Sequence, residues 1–270
     1  MYSFAYVKPG SLKEVSAFLK SNPDAKALAG GMTLIPTLKA RLAQPSHLVD
    51  LEGLKELSGI EVKGSTLSIG AGTRHADVTK SDTVKKAIPA LAYLAGRIGD
   101  PAVRNLGTIG GSVANNDPAA DYPAAVLALG AKIVTDSREI AADDYFQGLF
   151  TTALEPGEII VRIDFPVPKR AAYEKFAHPA SGYAMTGVFV AETPGGIRVA
   201  VTGAGPGVYR WKEAEAALGK KAAVESVADL RMKPDDLNED IHGSREYRAN
   251  LVNVLTKRAV AQLVQTVGGK

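Results

Sequence analysis

Residues 105–121, with the sequence NLGTIGGSVANNDPAAD, have a composition that packing alone does not explain. Gly107, Gly110 and Gly111 expose the backbone, while the residues around them supply hydroxyl, amide and carboxylate groups. Glycine lets a ligand lie against the main chain, and consecutive exposed N–H groups bind an anion without any lysine. The stretch therefore suits a phosphate-bearing ligand whose neutral parts are held by asparagine and aspartate, although the same residue types also favour ordinary turns.

Residues 29–36, AGGMTLIP, form a second stretch of this type and follow a short apolar run that predicts a strand over residues 25–29. A strand followed by Gly-Gly, a threonine and a helical turn places backbone amides where an anion can bind, so the two stretches could hold the two halves of a pyrophosphate. Neither matches the dinucleotide fingerprint G-x-G-x-x-G, since Gly70-Ala71-Gly72 lacks the third glycine and residues 203–207 have the wrong spacing. No phosphate-binding loop with a terminal Lys-Ser or Lys-Thr occurs, so ATP or GTP hydrolysis has no support.

The two stretches together resemble a known family. Residues 29–36 look like the first flavin loop, and residues 104–115 (RNLGTIGGSVAN) like the second, of the FAD-binding medium subunits of molybdenum hydroxylases. That family includes the medium subunit of aerobic carbon monoxide dehydrogenase and the FAD domain of xanthine dehydrogenase. The resemblance runs from Phe4 to the C-terminal helical region. It implies an α+β chain with the FAD-binding fold of the PCMH/vanillyl-alcohol-oxidase type: two N-terminal α/β subdomains, then a C-terminal antiparallel sheet plus helices.

Three units are expected along the chain: residues 1–53, 54–168 and 169–270, with the last boundary at Pro166 and Pro168. Apolar periodicity predicts the elements. In the first two units, helices are predicted over residues 12–20, 34–42, 73–77, 89–98 and 122–129, and strands over 25–29, 47–51, 60–71 (a hairpin), 131–134 and 158–165. Residues 105–121 are predicted to be a loop. In the third unit, strands are predicted over residues 172–177, 184–191 and 196–202, and helices over 211–218, 223–230 and 245–267.

The resemblance also implies which residues hold FAD, without a covalent link. They are Ala29, Gly30, Gly31, Met32, Thr33, Leu34, Ile35, Gly107, Thr108, Ile109, Gly110, Gly111, Ser112, Asn115, Asp121, Ile160, Lys175 and Tyr183. Valine in place of Gly31 or Gly111 is expected to abolish FAD binding, through lost backbone approach and strain at positive φ.

Several of these positions keep an alternative. Asp121 is either a cofactor ligand or the N-cap of the helix at Tyr122, and Asp117 is expected to form a turn. Lys175 is either a cation near the flavin ring or a solvated lysine on an edge strand. After Lys175 many relatives carry an arginine and an acidic residue before Tyr-Ala, whereas this chain has residues 176–182 before Tyr183, which could shield the ring.

Composition excludes several other functions. The 270 residues contain no cysteine, so this chain cannot hold a disulfide or a cysteine-ligated iron–sulfur cluster. A formal net charge of +3 without a basic block gives nucleic-acid binding no support. The four histidines lack metal-ligand spacing, so no metal site is expected, and no Ser/His/Asp set is recognisable. Without an apparent signal peptide or membrane-spanning run, a cytoplasmic protein is expected.

The resemblance implies the FAD subunit of a multi-subunit oxidoreductase with no catalytic residue of its own. A large partner chain would carry molybdopterin, a small one [2Fe-2S] clusters, in a dimer of heterotrimers. This chain would pass electrons from the clusters to an external acceptor, and its partner surface would lie near residues 175–183. One alternative is a self-sufficient FAD-dependent oxidoreductase using Tyr183, His178 and Asp121. The other is a non-enzymatic module that binds a phosphate-bearing ligand.

Overall fold

A small parallel sheet forms the first unit of the computed structural model, which describes residues 1–265. Its elements in chain order are β1 (Ala5–Val7), α1 (Leu12–Ser21), β2 (Lys26–Leu28), α2 (Leu34–Lys39) and β3 (His47–Asp50). The strand order is β1-β3-β2, and both pairings are parallel. Because parallel neighbours need a crossover, α1 connects β1 to β2 and α2 connects β2 to β3.

Helix α1 begins where its sequence predicts. The Glu14 amide donates to Oγ of Ser11 over 3.3 Å, and the Gly10 amide donates to the Glu14 carboxylate over 2.9 Å. These two bonds satisfy amides that a helix N-terminus leaves unpaired. Val15 and Leu19, one turn apart, are buried against the core.

An antiparallel sheet with a long helical insertion forms the second unit. Its elements are β4 (Ile60–Lys63), β5 (Thr66–Gly70), α3 (His75–Lys80), α4 (Asp82–Ala87), α5 (Pro89–Gly96), α6 (Pro101–Leu106), α7 (Ile109–Asn115), α8 (Tyr122–Leu129), β6 (Lys132–Thr135), β7 (Glu139–Ala141), α9 (Ala142–Tyr145), β8 (Phe146–Gly148), β9 (Thr151–Thr152) and β10 (Ile160–Pro166). The strand order is β4-β5-β10-β6-β7, so the last strand of the unit occupies the centre of its sheet. Helices α3 to α8 all lie between β5 and β6 in the chain.

The third unit is an antiparallel sheet covered by helices. Its elements are β11 (Arg170–Ala177), β12 (Ala184–Thr193), β13 (Gly196–Thr202), β14 (Tyr209–Arg210), α10 (Lys212–Lys220) and α11 (Arg245–Gln265), with the strands in sequential order. Successive residues of a strand point to opposite faces. Val188 and Val190 therefore join a core with α10 and α11, whereas Phe189 and Ala191 join the larger core that contains α8.

Helix α8 connects the second and third units. Every residue from Tyr122 to Leu129 is buried, as expected for a helix that is apolar on all sides. It packs against β12 and β13 as well as against β10. The predicted apolar helix over residues 122–129 is confirmed, and the mixed helix-and-sheet architecture confirms the α+β class.

Two predicted elements are wrong. Residues 105–121 are not one loop, because α6 ends and α7 begins inside them. Oγ1 of Thr108 caps α7, and Asn116 ends it in the left-handed conformation with a φ of 44°. The predicted helix over residues 223–230 is only a 3-10 turn, Val224–Val227. The predicted last helix is confirmed as far as Gln265, and its predicted end at Val267 lies outside the described residues. No helix within residues 1–265 is long and apolar enough to cross a bilayer.

Candidate cofactor site

A cleft of about 1340 Å³ lies between the first and second units, and the third unit contributes to its wall. Two stretches that the sequence singles out line it: residues 29–35, here called the first segment, and residues 107–115, here called the second segment, in which Ile109 and Val113 do not reach the cleft. Ile159 and Ile160 add an apolar wall, and Tyr183 comes from the third unit. A long cleft with mixed polar and apolar walls is suited to a large, amphipathic cofactor.

The first segment presents unpaired backbone amides. Within residues 1–265, the amides of residues 30–34 donate no hydrogen bond to the protein, and the first amide of this turn with an acceptor is that of Ile35, which donates to Gly31. Gly31 has a φ of +69°, which favours glycine, and residues 30–34 all line the cleft. Buried or half-buried amides need partners, so a run of free ones indicates an anionic ligand.

The second segment differs, because the amides of residues 109–111 are already bonded. The Ile109 amide donates to Thr73 over 3.0 Å, the Gly110 amide to Ala71 over 2.9 Å, and the Gly111 amide to Oγ1 of Thr108 over 3.2 Å. The expectation that the glycines of this segment free their amides for a ligand is therefore wrong for residues 109–111. What the segment offers the cleft is the Thr108 amide, which donates to no acceptor within residues 1–265, and the side chains of Thr108, Ser112 and Asn115.

Two glycines allow close packing around the cleft, Gly30 against Leu106 just before the second segment and Gly110 against Ala71. A Cβ on Gly30 would lie 2.0 Å from the carbonyl oxygen of Leu106, and one on Gly110 would lie 2.5 Å from Cβ of Ala71. Neither distance is compatible with a side chain, so these glycines are needed for packing between protein segments. Gly111 is less crowded, with Oγ1 of Thr108 at 3.0 Å from such a Cβ.

Comparison with known proteins agrees with this geometry. Residues 2–168 match the family described as the FAD binding domain in molybdopterin dehydrogenase, and residues 170–263 match the CO dehydrogenase flavoprotein C-terminal domain. This chain belongs to the FAD-binding medium subunits of the molybdenum hydroxylases. The two matches meet between residues 168 and 170, where the Pro-rich boundary to the third unit is placed from the sequence.

Relatives of this medium subunit match over nearly their whole length. This chain is 37% identical to the glyceraldehyde dehydrogenase medium chain of Sulfolobus acidocaldarius. The alignment covers 96% of this chain and 98% of that one. This chain is also 37% identical to the carbon monoxide dehydrogenase medium chain of Hydrogenophaga pseudoflava, over 95% and 96% of the two chains. Among solved structures, quinoline 2-oxidoreductase from Pseudomonas putida 86 superimposes with a TM-score of 0.89 and 31% identity, covering 98% of each chain.

FAD is the cofactor of such a subunit, and the residues of the cleft fit it. The free amides of residues 30–34 suit its diphosphate, and hydroxyl and amide side chains of the second segment suit its polar linker. Of the residues expected to hold FAD, the structure brings all but Ile109 and Lys175 to the cleft wall. Ile109 is fully buried and packs in the core.

Asp121 and Lys175 are brought together, so Asp121 does not act as the N-cap and Lys175 is not solvated. The Lys175 ammonium lies 2.9 Å from the Asp121 carboxylate and also donates to the Arg97 carbonyl over 2.9 Å. Lys175 is therefore not a solvated lysine, since its side chain is only 1% exposed. Asp121 precedes α8 but makes no capping hydrogen bond. Asp117 forms the predicted turn, because its Oδ1 accepts from the Ala119 amide over 2.8 Å.

Two aromatic rings frame other parts of the cleft. Tyr183 lines it with 41% of its surface exposed; burial and the nearby Asp117 carboxylate raise the pKa of its hydroxyl, while a contact with Thr33 across the cleft lowers it. His75 starts α3, inside the helix predicted over residues 73–77, and lies beside Gly107. Burial, with a smaller contribution from Arg104, lowers the pKa of His75 to about 4, so the ring is neutral at pH 7.

Sequence reasoning missed the support behind the second segment. Ala71 and Thr73 line the cleft, and their carbonyls accept the amides of Gly110 and Ile109. The signal was present in Gly70-Ala71-Gly72, which fits no nucleotide fingerprint because it serves to pack against α7 and against Leu57. Glu158 also lines the cleft, but its carboxylate is occupied by Arg138, Thr135 and Ser137.

Proposed function

We propose that this chain passes electrons through bound FAD from the [2Fe-2S] clusters of a small partner chain to an acceptor outside the complex. The observation that carries the proposal is the run of unpaired amides at residues 30–34 in a cleft large enough for a dinucleotide. FAD supplies the redox chemistry, and the protein supplies binding and orientation. A large molybdopterin chain and a small iron–sulfur chain would complete the enzyme, as a dimer of heterotrimers.

The residues of this chain then have binding roles. The amides of residues 30–34 hold the diphosphate by hydrogen bonds to its oxygens, which suits a site without lysine. Thr108 can donate its hydroxyl proton into the cleft while its oxygen accepts from Gly111, and Ser112 and Asn115 add further polar contacts. Tyr183 shields the ring end of the cofactor from solvent, and the surface near residues 175–183 is where the partner chain would dock.

A self-sufficient oxidoreductase has less support from the geometry. Such an enzyme needs a free acid or base beside the cofactor. The Asp121 carboxylate is held by Tyr173 and Lys175. Nδ1 of His178 accepts the amides of Ala180 and Ser181. Of the three residues considered from the sequence, Asp121 and Tyr183 line the cleft, and the Asp121 carboxylate is already held by its two partners.

Two measurements test the proposal. The purified chain should release all its flavin as FAD when the protein is precipitated with acid, because no covalent link is expected. Mixed with the reduced iron–sulfur chain, the FAD-loaded chain should show flavin bleaching, and mixed with aldehydes or heterocycles and a dye acceptor it should show none. FMN in place of FAD, or substrate turnover by the isolated chain at the rate of the intact complex, would contradict the relay role and favour the self-sufficient enzyme.

A further inference from the structure

A buried triad lies behind the cleft wall at Asp121. Tyr173 donates to Oδ1 of Asp121 over 2.6 Å, and the Lys175 ammonium is 2.9 Å from the same carboxylate. Tyr173 and Lys175 are two residues apart on β11, so both point to the same face of the sheet. The side chains of Lys175 and Asp121 are 1% and 3% exposed, and Tyr173 is 1% exposed.

The third unit fixes the position of this triad. Oγ1 of Thr202 donates to the carbonyls of Pro118 and Ala120 over 2.9 and 2.7 Å, and the Gly203 amide donates to Pro118 over 2.7 Å. The Lys175 ammonium also donates to the Arg97 carbonyl, immediately before residues 98 and 99, which line the cleft. The charges of Asp121 and Lys175 are thus held at a fixed place beside the cleft.

The negative charge of Asp121 and the positive charge of Lys175 compensate each other. Burial raises the pKa of Asp121, while Lys175 and Tyr173 act in the opposite direction, with a smaller effect from Arg97. Burial raises the pKa of the Tyr122 and Tyr183 hydroxyls, and the Asp121 carboxylate adds a smaller rise. Removing one partner of a buried pair leaves the other charge uncompensated, and such a charge acts strongly in a poorly solvated site.

The chemistry of this wall suits the flavin half of FAD better than its diphosphate. Asp117 and Asp121 both line this part of the cleft, and two carboxyl groups repel phosphate, whereas they accept hydrogen bonds from the hydroxyl or ring N–H groups of the flavin half. Gain of two electrons and one proton leaves that half with one more negative charge. An uncompensated charge at Asp121 or Lys175 therefore acts differently on the oxidised and reduced cofactor.

We infer that the Asp121–Lys175 pair is a charge balance that sets the relative affinity of the site for oxidised and reduced FAD, with Tyr173 as a positioning residue that orients the carboxylate. The inference rests on the proposed function, since it requires FAD in this cleft. Lys175 then affects the cofactor only through its ion pair with Asp121, without touching the cofactor itself. Its positive charge becomes available to the flavin only when Asp121 is neutral.

Three variants of the full chain, loaded with FAD, test this by redox titration at pH 7. In Asp121→Asn the Lys175 charge is uncompensated, so reduced FAD should gain at least tenfold in affinity relative to oxidised FAD, a potential shift of about +30 mV for a two-electron couple. In the double variant Asp121→Asn with Lys175→Met, neutrality returns and the potential should return to that of the parent chain. Tyr173→Phe removes a hydrogen bond but no charge, and should shift the affinity ratio less than threefold.

The possible results of the titration distinguish an effect of charge from an effect of altered structure. A potential in Asp121→Asn equal to the parent value overturns the inference, and so does a double variant that keeps the shift of the single one. A Tyr173→Phe variant that shifts as far as Asp121→Asn also overturns it, because no charge has changed. FAD content and melting temperature, measured on each protein, identify variants that have lost the fold. A parent chain that binds no FAD would instead refute the proposed function.

Discussion

The amides of residues 30–34 in the first segment are free, whereas those of residues 109–111 in the second segment are bonded to Thr73, Ala71 and Thr108. Both segments have paired glycines with a threonine two residues away, yet only in the first are the amides of the paired glycines free for a ligand. Glycine serves left-handed geometry at Gly31 and close packing at Gly30 and Gly110. The comparison shows that a glycine-rich stretch predicts a backbone that can be approached closely. It does not predict whether a ligand or another part of the chain makes that approach.

The largest effect is expected where the two segments touch. Gly30→Ala would place a methyl group 2.0 Å from the Leu106 carbonyl, so the first and second units must move apart. We expect a loss of about 3 kcal/mol in the free energy of unfolding, measured by denaturant titration, together with loss of FAD. Gly219→Ala is the matched control, because nothing lies within 4 Å of that position in α10, and it should be neutral or stabilising. Equal stability of the two variants would contradict the close contact.

Gly31→Val should reduce FAD affinity at least 100-fold while the chain stays folded. Valine is strained at a φ of +69° and would meet Leu28 and Ile35 at about 3 Å, so the run of free amides would lose its shape. Gly111 has a helical φ, so the strain expected there from the sequence is absent. Gly111→Val should therefore act through bulk in the cleft and through displacement of the Thr108 cap, with a smaller loss of affinity. Fluorescence titration with FAD measures both, and an equal loss in the two variants would remove the distinction between the segments.

The packing of the second segment should depend on pH through His75. Its folded pKa of about 4 lies below the ordinary value of 6.5, so its contribution to stability is complete above pH 6.5 and is lost as pH falls towards 4. At pH 5 the loss relative to pH 7 should be about 2 kcal/mol. His75→Gln cannot titrate, so the difference between the two proteins in the free energy of unfolding should change by this amount over that range. Parallel pH profiles would show that the ring is not held neutral.

The smallest expected effect belongs to a side chain of the second segment. Ser112 lines the cleft, and its hydroxyl makes no hydrogen bond to the protein within residues 1–265. Ser112→Ala should weaken FAD binding three- to tenfold, the value of about one hydrogen bond, without changing stability. Ser21→Ala, at the end of α1 and away from the cleft, is the control. Unchanged affinity in Ser112→Ala would remove this hydroxyl from the site.

Elements with a clear apolar pattern or a capping pair were predictable from the sequence. Helix α8 and the strands β11 to β13 have apolar patterns that decide their type, and Ser11 with Glu14 fixes the start of α1. Helix α7 was not predictable, because Gly110 and Gly111 disfavour a helix and its start depends on Thr108 as a cap. That cap is recognisable only once the Thr73 and Ala71 carbonyls are seen to hold the first turn.

The residues of the cleft were mostly predictable, but their partners were not. The first segment was recognisable from Gly30-Gly31 and Thr33, and in the structure it lines the cleft. The pairing of Lys175 with Asp121 joins residues 54 positions apart. No pattern in the sequence around either residue specifies this pairing. The same holds for the Gly30–Leu106 contact, which exists only when two subdomains meet.

The central place of β10 in its sheet has a consequence for synthesis. Strands β5 and β6 both pair with β10, which follows β5 by roughly 90 residues, or about 5–20 s of translation. Until β10 leaves the ribosome, both partners have unsatisfied edges that invite aggregation, and the wall formed by Ile159 and Ile160 does not exist. The nascent chain is therefore expected to stay protease-sensitive and unable to retain FAD until Pro166 has emerged, so cofactor loading is timed by the last strand of the second unit to be made.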